Sequence, residues 1–560
     1  MKKTTIILLS ILTGMAGSFQ SCDLKEYNPS GATADVIFAT PEGLETVVNA
    51  AYYNFRWKFF GREDPVLYLD GGTDIWINAE LSTYGRQLTK YDGLVSTTGQ
   101  IANVWNRLYD NVNLCNTGIN RIADIVYQNP DEKKYREGEL RFIRAFSYWW
   151  LVEFFGDIDM RTTETKNIEL EIHRTPAKTI YDEVIIPDLQ KACELLLPEP
   201  IDGMVGRVTL KSAYGMLARA ALTRAAYGEK DQYNQMALDA AKYVIDNRSA
   251  LKVDLYSNYA DIFDPANNKA NKEAMFVITH STNPSLNPNP KNANRLFAYY
   301  NPRYINFVGC NVSFADGPDN QGPRLMPTKY LLQLYDEYDA RYAASFKEVF
   351  KCNTPTGYTW TEAHRGTFKK PASFVGNVRV ENGDTALYYT RRSISQTQKD
   401  TARYAIVDIN MVYDAVTGEV KSTTDQFARF FPKLNKFIDP DRPTENSQAG
   451  TKDVIIMRLA EMYLIAAEAQ IALGHPDLAV PYIQTLRQRA TVAGHEDAMA
   501  VTASDMTQDF ILEERARELC GEAIRWFDLK RTGKLYSNVK AHNKNITLIQ
   551  EFHKLRPIPE

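Results

Sequence analysis

The sequence predicts a mostly α-helical protein in which tetratricopeptide-like helix pairs form a frame that carries a long, irregular, loop-rich insertion. Three observations support this prediction. Apolar residues recur every three to four positions towards both ends of the chain, as on one face of a helix. Two of these stretches form helix–turn–helix units close to the tetratricopeptide period of about 34 residues. Between them, Asn, Pro, Gly and Asp cluster, which is typical of turns and loops.

The first residues resemble the signal of a bacterial lipoprotein. Lys2 and Lys3 precede a short apolar run at 6–12, and a serine precedes Cys22. A basic start, a short apolar stretch and a small residue at the cleavage point are the parts of a secretory signal. We therefore interpret residues 1–21 as a lipoprotein signal peptide and Cys22 as the lipid anchor, with the body of the protein in water. A plain signal peptide with an incidental cysteine is the alternative.

Residues 22–255 are predicted to form the N-terminal helical part of the frame. The clearest unit is a helix pair around the turn at 227–231, where alanines allow the two helices to approach closely. The stretch at 139–155 is apolar nearly all round, so it should lie inside the molecule. Such units cannot bury their faces alone, so further helices should stack on them. The helices predicted for this part lie at 46–59, 104–127, 139–155, 210–220 and 237–244.

Residues 256–450 are predicted to form the irregular insertion. Turn-forming residues cluster at 283–290 and at 316–320. We interpret this region as a long insertion that rests on the helical frame rather than as a separately tethered domain. Long loops on a rigid scaffold are where function tends to lie. The elements predicted within it are strands at 274–280 and 385–390 and a helix at 330–339.

Residues 451–560 are predicted to form the C-terminal helical part of the same domain. A helix at 456–471, a turn at 474–477 and a return helix at 479–490 make the second tetratricopeptide-like unit.

The last strong helix is predicted at 509–529. Its Glu513/Arg517 and Glu522/Arg525 pairs have the spacing of ion pairs on a helix. We interpret these charges as those of an ion-paired helix docked on the frame, rather than as a catalytic carboxylate pair.

Composition and motifs argue against several classes of function. The chain has 65 basic and 69 acidic residues and a net charge of −4, so no general field attracts nucleic acid. The sequence contains no serine-hydrolase, zinc-protease or nucleotide-binding motif. We predict no cofactor and no metal. Two alternatives stay open: distant acids could meet at the roughly 5–10 Å that sugar hydrolysis requires, and the acidic turn at 316–320 could hold calcium instead of ordinary turn hydrogen bonds.

Five cysteines follow Cys22, and none has the spacing of a zinc site. Cys193 and Cys520 lie in helical patterns, which favours buried free thiols. Cys310 and Cys352 lie in loop-rich sequence, so a disulfide between them is an open alternative in an oxidising compartment.

Two aromatic loops are the strongest indication of a binding site. The chain contains 32 Tyr, 25 Phe and 7 Trp, and such rings gather beside Asp, Asn and Arg at 70–78, with tyrosines close behind, and at 297–304. A ring covers the apolar C–H face of a sugar while polar neighbours bind its hydroxyls. The alternative is that these rings fill the seam between the insertion and the helices. The predicted ligand-binding residues are Asp74, Trp76, Asn78, Tyr84, Tyr299, Tyr300 and Tyr304.

Several phrases in the sequence are individually weak but together very specific. They are GELRFIRAFSYW at 138–149, FGD at 155–157, RLMPTKYLL at 324–332, RLAEMYLIAAEA at 458–469, EERAREL at 513–519, RWFDLKR at 525–531 and LRPIP at 555–559. In this order, and across essentially the whole chain, they resemble the SusD/RagB family of Bacteroidetes outer-membrane lipoproteins.

The resemblance implies a mostly α-helical fold with four tetratricopeptide-like pairs, an insertion that helps to build the ligand site, and no enzyme activity. It implies a protein lipid-anchored on the extracellular face of the cell outer membrane, which captures oligosaccharide or polysaccharide and delivers it to a SusC-like TonB-dependent transporter. Some relatives bind peptides, so oligopeptide capture by a RagB-like lipoprotein is the alternative, and a glycoside hydrolase is a more distant one. The matching phrases belong to the scaffold, so the predicted site rests on the aromatic loops alone.

Overall fold

The computed structural model describes residues 33–56, 60, 63–79, 83–167, 172–201, 203–286, 294–318, 324–421 and 429–560. Side chains are described over the same ranges except at 63–65, 83–84 and 284. The predicted signal peptide, residues 1–21, and the predicted lipid anchor, Cys22, lie outside the described residues.

The N-terminal part is helical, and every helix predicted for it is present, with boundaries shifted by up to nine residues. A π-helical turn joins α7 to α8. In chain order the elements are α1 (Ala34–Ile37), α2 (Pro41–Arg56), α3 (Glu63–Leu69), β1 (Trp76–Asn78), α4 (Thr83–Lys90), α5 (Gly99–Ile122), α6 (Pro130–Phe155), β2 (Ile158–Asp159), β3 (Arg174–Thr175), α7 (Ala177–Ile180), α8 (Ile186–Leu195), α9 (Leu210–Arg224) and α10 (Lys230–Asp246).

The insertion is built from short strands and short helices. Its elements are β4 (Ala274–Ile278), α11 (Leu296–Tyr299), β5 (Leu325–Pro327), α12 (Lys329–Leu334), α13 (Ala340–Ser345), β6 (Phe346–Lys347), β7 (Val349–Lys351), β8 (Tyr358–Thr359), α14 (Glu362–Phe368), β9 (Arg379–Val380), β10 (Thr385–Thr390), α15 (Gln396–Thr401), β11 (Ala405–Asp408), α16 (Ile409–Val412) and β12 (Lys433–Leu434). The strand predicted at 385–390 is confirmed. The helix predicted at 330–339 is shorter than expected: α12 ends at Leu334, and a separate helix, α13, begins at Ala340, where the Asp339 side chain caps its first turn.

The C-terminal part returns to helices after one strand. Its elements are β13 (Val454–Arg458), α17 (Leu459–Ala472), α18 (Pro476–Gln488), α19 (Gln508–Leu519), α20 (Arg525–Arg531) and α21 (Leu535–His542). The helix predicted from residue 456 therefore begins three residues later, because 454–458 pairs antiparallel with β4. The prediction of a single helix at 509–529 is wrong. α19 ends at Leu519, and the backbone then turns at Gly521 and Ala523, which have φ values of +77° and +56°.

Eight helices form the frame by packing in chain order. α2 packs on α5, α5 on α6, α6 on α8, α8 on α9, α9 on α10, α10 on α17, and α17 on α18. This order makes four consecutive pairs, and the predicted mostly α-helical frame of about four tetratricopeptide-like pairs is confirmed. Close approach is built in at Gly215 of α9, where an added Cβ would lie 2.4 Å from the Met457 sulfur.

α6 is the central helix of the frame. Asn129 caps its first turn by accepting a hydrogen bond from the Asp131 backbone, Pro130 occupies the first position, and Gly156 ends it with φ +75°. Of its 26 residues, 19 are buried. The predicted internal position of the 139–155 stretch is therefore confirmed, since a helix that is apolar all round must be covered on every side.

The sheets are small and tie distant parts of the chain together. β1 pairs with β5, β4 with β13, β6 with β12, β2 with β3 and β8 with β9, while β10 lies between β7 and β11. One hydrophobic core extends from Leu44 to Ile549 through frame and insertion alike. The division of the chain into the parts 22–255, 256–450 and 451–560 stays a prediction. Among the described residues, no helix combines the length and hydrophobicity required to cross a membrane.

Candidate functional site

The two predicted aromatic loops meet in the structure, but they meet inside the molecule. β1, which carries Trp76, pairs antiparallel with β5, and the Trp76 ring centroid lies 4.8 Å from that of Tyr300. Trp76 is 0% and Tyr300 1% exposed. The loops thus form a buried joint, which we call the Trp76 seam; its residues are Asp70, Asp74, Trp76, Tyr300 and Arg525.

A buried ion pair fixes one side of the Trp76 seam. Asp74 is fully buried and accepts two hydrogen bonds from the Arg525 guanidinium, at 2.8 Å from Nε and 2.6 Å from Nη2. The Thr328 hydroxyl donates to the Asp74 carbonyl at 3.1 Å, and the Asn543 amide donates to the Trp76 carbonyl at 2.9 Å. Two parallel hydrogen bonds between charged partners are strong and directional. The Asp74 carboxylate is therefore committed to holding the fold together.

Asp70 lies beside Tyr300 in the same seam and has an unusual protonation equilibrium. Its Oδ2 accepts a hydrogen bond from the Tyr300 hydroxyl at 2.8 Å. Complete burial removes the water that would stabilise the carboxylate and raises the pKa of Asp70 to about 7. Burial and the charge of Asp70 also raise the pKa of Tyr300. The seam therefore holds a carboxyl group that titrates near neutral pH.

The other predicted site residues whose side chains are described are buried as well. Tyr304 stacks on Phe350 with ring centroids 5.0 Å apart, and its hydroxyl donates to the Gly317 carbonyl. Tyr299 in α11 is 1% exposed, and Asn78 at the end of β1 is 7% exposed. The side chains of the two loops pack against each other, because the insertion covers the N-terminal part at this point.

The prediction that these loops expose their rings is therefore wrong, and seam packing, the alternative interpretation, describes them. Direct ligand contact by Asp74, Trp76, Asn78, Tyr299, Tyr300 or Tyr304 stays a prediction that their burial disfavours. Tyr84 belongs to α4, but its side chain lies outside the described residues.

One of the two ion pairs predicted for the last helix is present in the structure. Arg517 pairs with Glu513 at 3.5 Å on α19. The predicted Glu522/Arg525 pair is wrong, because α19 ends at Leu519, before both residues, so they do not share a helix face. Glu522 pairs with Arg458 at 2.7 Å, whereas Arg525 pairs with Asp74.

The structure bears on the two remaining alternatives, a disulfide between Cys310 and Cys352 and a calcium ion at 316–320. Cys310 and Cys352 are both buried free thiols in the structure, not a disulfide. In the acidic turn at 316–320, the Asp316 carboxylate binds the Lys347 ammonium and accepts from the Ser313 hydroxyl at 3.2 Å. The part of the chain that the structure describes contains no group of three His, Cys, Asp or Glu residues arranged to hold a metal ion.

A half-exposed aromatic surface lies elsewhere in the insertion. The Phe307 ring is partly exposed and packs edge-on against the buried rings of Phe368 and Phe430, at centroid distances of 5.7 and 5.2 Å. The partly exposed His364 ring lies 5.5 Å from Phe307, and its Nδ1 is 2.6 Å from the Tyr358 hydroxyl. We call Phe307, Tyr358 and His364 the Phe307 platform. Two buried rings behind Phe307 hold it in place before any ligand arrives.

Polar side chains beside the Phe307 platform are available to a ligand. The exposed Arg303 guanidinium lies 5.5 Å from the Phe307 ring centroid, and the exposed Asn306 precedes Phe307 in the chain. Among the described residues, neither the Arg303 guanidinium nor the Asn306 side chain has a hydrogen-bond partner. Asn306 and Val308 both have positive φ, at 66° and 48°, so the loop holds Phe307 between two left-handed residues. Such backbone strain, of order 1–3 kcal/mol per residue, clusters at functional sites.

The sequence contains a weak signal for this platform. Phe307 follows the predicted Tyr304 by three residues, and the turn formers Asn306 and Gly309 flank it. Spacing alone does not distinguish the buried Tyr304 from the half-exposed Phe307, because the rings that cover or support them come from other segments.

A second accessible feature lies on the frame, between α5 and the segment that follows α6. It is a cavity of about 230 Å³, which we call the Trp105 cleft. The ring centroids of Tyr109 and Trp105 are 4.8 Å apart, and the Tyr109 hydroxyl donates a hydrogen bond to the Asp159 carbonyl at 2.8 Å. Arg161 pairs with Asp159, two positions earlier in the chain, at 2.5 Å. The lining residues are Trp105, Tyr109, Val112, Asn113, Asn116, Asp159, Arg161, Thr165 and Ile172.

Comparison with known proteins gives a consistent family. SusD-like protein P2 of Formosa agariphila is 25% identical over 545 residues, which cover 95% of this chain and 91% of that protein. Starch-binding protein SusD of Bacteroides thetaiotaomicron is 22% identical over 446 residues, covering 76% and 70%. A solved laminarin-binding SusD-like protein superposes with a TM-score of 0.65 at 18% identity, covering 93% of this chain and 96% of that one. The structural likeness shows a shared fold.

Family models agree with these relatives. The model described as the SusD family matches residues 301–554, and the model described as starch-binding associating with outer membrane matches residues 74–222. The two matches cover six of the eight frame helices and most of the insertion, in the order that the sequence phrases predicted. The chain belongs to the SusD/RagB family.

Proposed function

We propose that this protein captures a glycan at the cell surface and delivers it to a SusC-like TonB-dependent transporter of the outer membrane, where a lipid on Cys22 anchors it. Family membership supports this proposal, because the model matched at 74–222 is described as starch-binding and associating with the outer membrane. The names of two similar proteins state starch and laminarin binding. The structural observation that carries the proposal is the Phe307 platform.

The platform has the two components that sugar binding requires. The Phe307 and Tyr358 rings offer flat apolar surface to the C–H face of a pyranose, while Arg303 and Asn306 offer donors and an acceptor to its hydroxyls. Support from the buried Phe368 reduces the entropy lost when a ligand orders the Phe307 ring.

The open shape of the platform suits delivery. A ligand held by a few stacking contacts on an exposed surface loses only part of its hydration, so binding is of moderate strength and release is fast. No bond has to be broken in this function. The protein is therefore proposed as a binding protein without enzyme activity, and the chain of the captured glycan should leave the platform at its original length.

The first experiment measures binding of starch, laminarin and other polysaccharides to residues 23–560 in solution. We expect Phe307→Ala to weaken binding of the preferred glycan by about 5–30-fold, or about 1–2 kcal/mol, because the stacking surface is lost. Arg303→Ala removes a donor without touching the core and should weaken binding to a smaller extent. Phe552, which is 69% exposed in the C-terminal segment, provides the matched control.

Phe552→Ala removes an exposed ring of the same type, so it should bind like the parent protein. Equal affinities of the Phe307→Ala and Phe552→Ala variants would contradict the assignment of the platform. Product analysis on the bound glycan separates the alternatives: shorter products would indicate a hydrolase, and binding of peptide digests alone would indicate an oligopeptide-binding protein.

A further inference from the structure

The Trp105 cleft presents two aromatic rings that other residues hold in place. Trp105 and Tyr109 lie about one turn apart on α5, and both are partly exposed. The Trp105 ring packs edge-on against the buried Phe155 ring, at a centroid distance of 4.9 Å and an interplanar angle of 85°. The Tyr109 hydroxyl is bound to the Asp159 carbonyl. A ligand therefore meets rings that are already ordered, which reduces the entropy lost on binding.

Three polar atoms of the cleft have no hydrogen-bond partner within the part of the chain that the structure describes. They are Nε1 of Trp105, Nδ2 of Asn113 and Oδ1 of Asp159. The other polar atoms of Asn113 and Asp159 fix the two side chains: Asn113 Oδ1 accepts a hydrogen bond from the Thr165 backbone at 3.0 Å, and Asp159 Oδ2 accepts one from Arg161 Nε at 2.5 Å. The cleft thus offers a ligand two donors and one acceptor in fixed positions.

The charge and the size of the cleft restrict its ligand. Asp159 and Arg161 pair with each other, and the other lining residues are uncharged. A charged ligand therefore gains no net attraction from these residues. The volume of about 230 Å³ lies below the roughly 300–1,000 Å³ of sites that enclose a drug-sized molecule. The cleft suits one neutral ring, with the rest of a longer ligand outside it.

A sugar is the neutral ring that matches the whole lining. Its apolar C–H face packs on an aromatic side chain, and each of its hydroxyls both donates and accepts a hydrogen bond. A purely apolar group in the cleft would displace water from Trp105 Nε1 and Asn113 Nδ2 without replacing the lost hydrogen bonds, which lowers affinity. The open donors therefore favour a sugar over an apolar side chain or a lipid tail.

We propose that the Trp105 cleft is a second glycan-binding site, which binds one sugar ring and is separate from the Phe307 platform. The inference rests on the proposed function, because a protein that captures polysaccharide meets a ligand with many similar units. The cleft belongs to α5 of the frame, whereas the platform belongs to the insertion. Two weak sites hold a long chain more firmly than one when the chain reaches both, and each site still exchanges its sugar quickly.

Trp105 provides the readout for the test. Residues 23–560 are labelled with fluorotryptophan, and the Trp105 fluorine NMR signal is identified by its absence from the Trp105→Phe variant. The probes are maltotriose and laminaritriose, which represent starch and laminarin, and a trisaccharide of any other polysaccharide that the chain binds. We expect a saturable shift of the Trp105 signal and no shift of the fully buried Trp76. Phe307→Ala should leave the dissociation constant reported by Trp105 unchanged within about twofold.

Two variants act on the cleft alone. Ile172 lines the cleft and is 70% exposed, so Ile172→Arg obstructs it without disturbing the core, and we expect Trp105 to report roughly tenfold weaker binding or less. Asn113→Asp keeps the acceptor for the Thr165 backbone but removes the free donor, and should weaken binding by about fivefold. Val416→Arg is the matched control, because Val416 is 94% exposed and does not line the cleft.

The second site is overturned if no trisaccharide shifts the Trp105 signal, or if Ile172→Arg binds as well as Val416→Arg. A Trp105 shift that disappears in Phe307→Ala also overturns it, because the signal would then report binding at the platform. Cyclohexanol with the affinity of the best trisaccharide would identify an apolar site instead. A chain that binds polysaccharide without a Trp105 shift leaves the proposed function standing, whereas a Trp105 shift with full polysaccharide affinity in Phe307→Ala contradicts the platform and supports the cleft.

Discussion

Single residues of the Trp76 seam are held by charge as well as by apolar burial. Asp74 and Arg525 are both almost fully buried, and each satisfies the other through two hydrogen bonds. A buried pair of this kind adds little net stability compared with apolar residues, but removing one partner leaves the other charge unpaired away from water. The two residues should therefore tolerate joint replacement better than single replacement.

We expect Arg525→Met to lower the free energy of unfolding by about 3–5 kcal/mol, because it leaves the Asp74 carboxylate buried and unpaired. The double variant Asp74→Asn/Arg525→Met should recover part of this loss, since it removes the orphaned charge. Urea denaturation followed by circular dichroism gives the values. Additive losses in the double-mutant cycle would show that the two side chains do not interact.

Asp70 should make stability depend on pH near neutrality. Its pKa rises from about 3.8 unfolded to about 7 folded, so between these values the folded state holds a proton that the unfolded state lacks. The stabilisation from this proton is complete below pH 4 and is lost as pH rises through 7. Asp70→Asn should remove this slope and be the more stable protein above pH 7, by about 4 kcal/mol at most. Parallel stability curves from pH 5 to pH 8 for both proteins would count against it.

The same seam shows what sequence reasoning can and cannot reach at the residue scale. At 70–78 and 297–304 the sequence pattern favoured ligand binding and offered seam packing only as the alternative. It gave no indication of burial, because Arg525 and Asn543, which hold Asp74 and Trp76, lie more than 440 residues further along the chain. The half-exposed Phe307 lies close to a predicted residue but depends on Phe368 and Phe430 for its position.

At the scale of elements, the sequence predicted the helices that have a regular apolar face, but it did not predict where those helices end. α9 and α10 follow from apolar spacing and a turn, because neighbouring residues decide both. The start of α17 depends on the pairing of β13 with β4, which begins about 180 residues earlier. The break between α19 and α20 falls at Gly521, which has φ +77° and against which Leu434 of β12 packs closely.

Gly521 is expected to tolerate no side chain. A Cβ there would lie 2.3 Å from Leu434 Cδ2, and the backbone has φ +77°. Gly521→Ala should therefore lower the free energy of unfolding by about 2–3 kcal/mol, from steric overlap added to left-handed strain. Thermal unfolding measures the loss.

Gly533 provides the control for this substitution. It has φ +70° but no atom within 4 Å of an added Cβ, so Gly533→Ala should lose only about 1 kcal/mol. Similar losses for the two alanine variants would show that the contact with Leu434 has no influence.

At the scale of the whole molecule, a buried charge network joins frame, insertion and C-terminal helices. Glu518 of α19 binds Arg458 of β13 at 2.7 Å, Arg489 at 2.6 Å and Arg341 of the insertion at 3.1 Å. Glu273, beside β4, binds both Arg458 and Arg489. The EERAREL phrase in the sequence is thus the centre of the assembly, and the interpretation of an ion-paired helix docked on the frame is supported here.

Acid should unfold the protein through this network. Burial alone would raise the pKa of Glu518, but the charges of Arg489, Arg458 and Arg341 outweigh it and lower the pKa to about 2. A folded pKa below the unfolded value of about 4.5 stabilises the fold above pH 4.5, and this contribution disappears as pH falls towards 2.

Glu518→Gln should therefore cost about 3 kcal/mol at pH 7 and flatten the decline of stability between pH 4.5 and pH 2. Glu551, an exposed residue of the C-terminal segment, is the control, and Glu551→Gln should leave both quantities unchanged. An acid transition of unchanged depth in the Glu518→Gln protein would assign acid sensitivity to other groups.

The hydrogen bonds between the last residues of the chain and the 68–76 loop have a consequence for how the chain can be exported. Arg525, Asn543 and Arg556 donate to Asp74, Thr73 and Tyr68 across 451, 470 and 488 residues. A chain that crosses a membrane amino end first delivers the 68–76 loop early, with its rings uncovered, and supplies the covering segment last. Contacts of such long sequence separation form slowly and leave apolar surface exposed meanwhile. We therefore expect the early loop to stay accessible to chaperones and proteases until the C-terminal segment is in place.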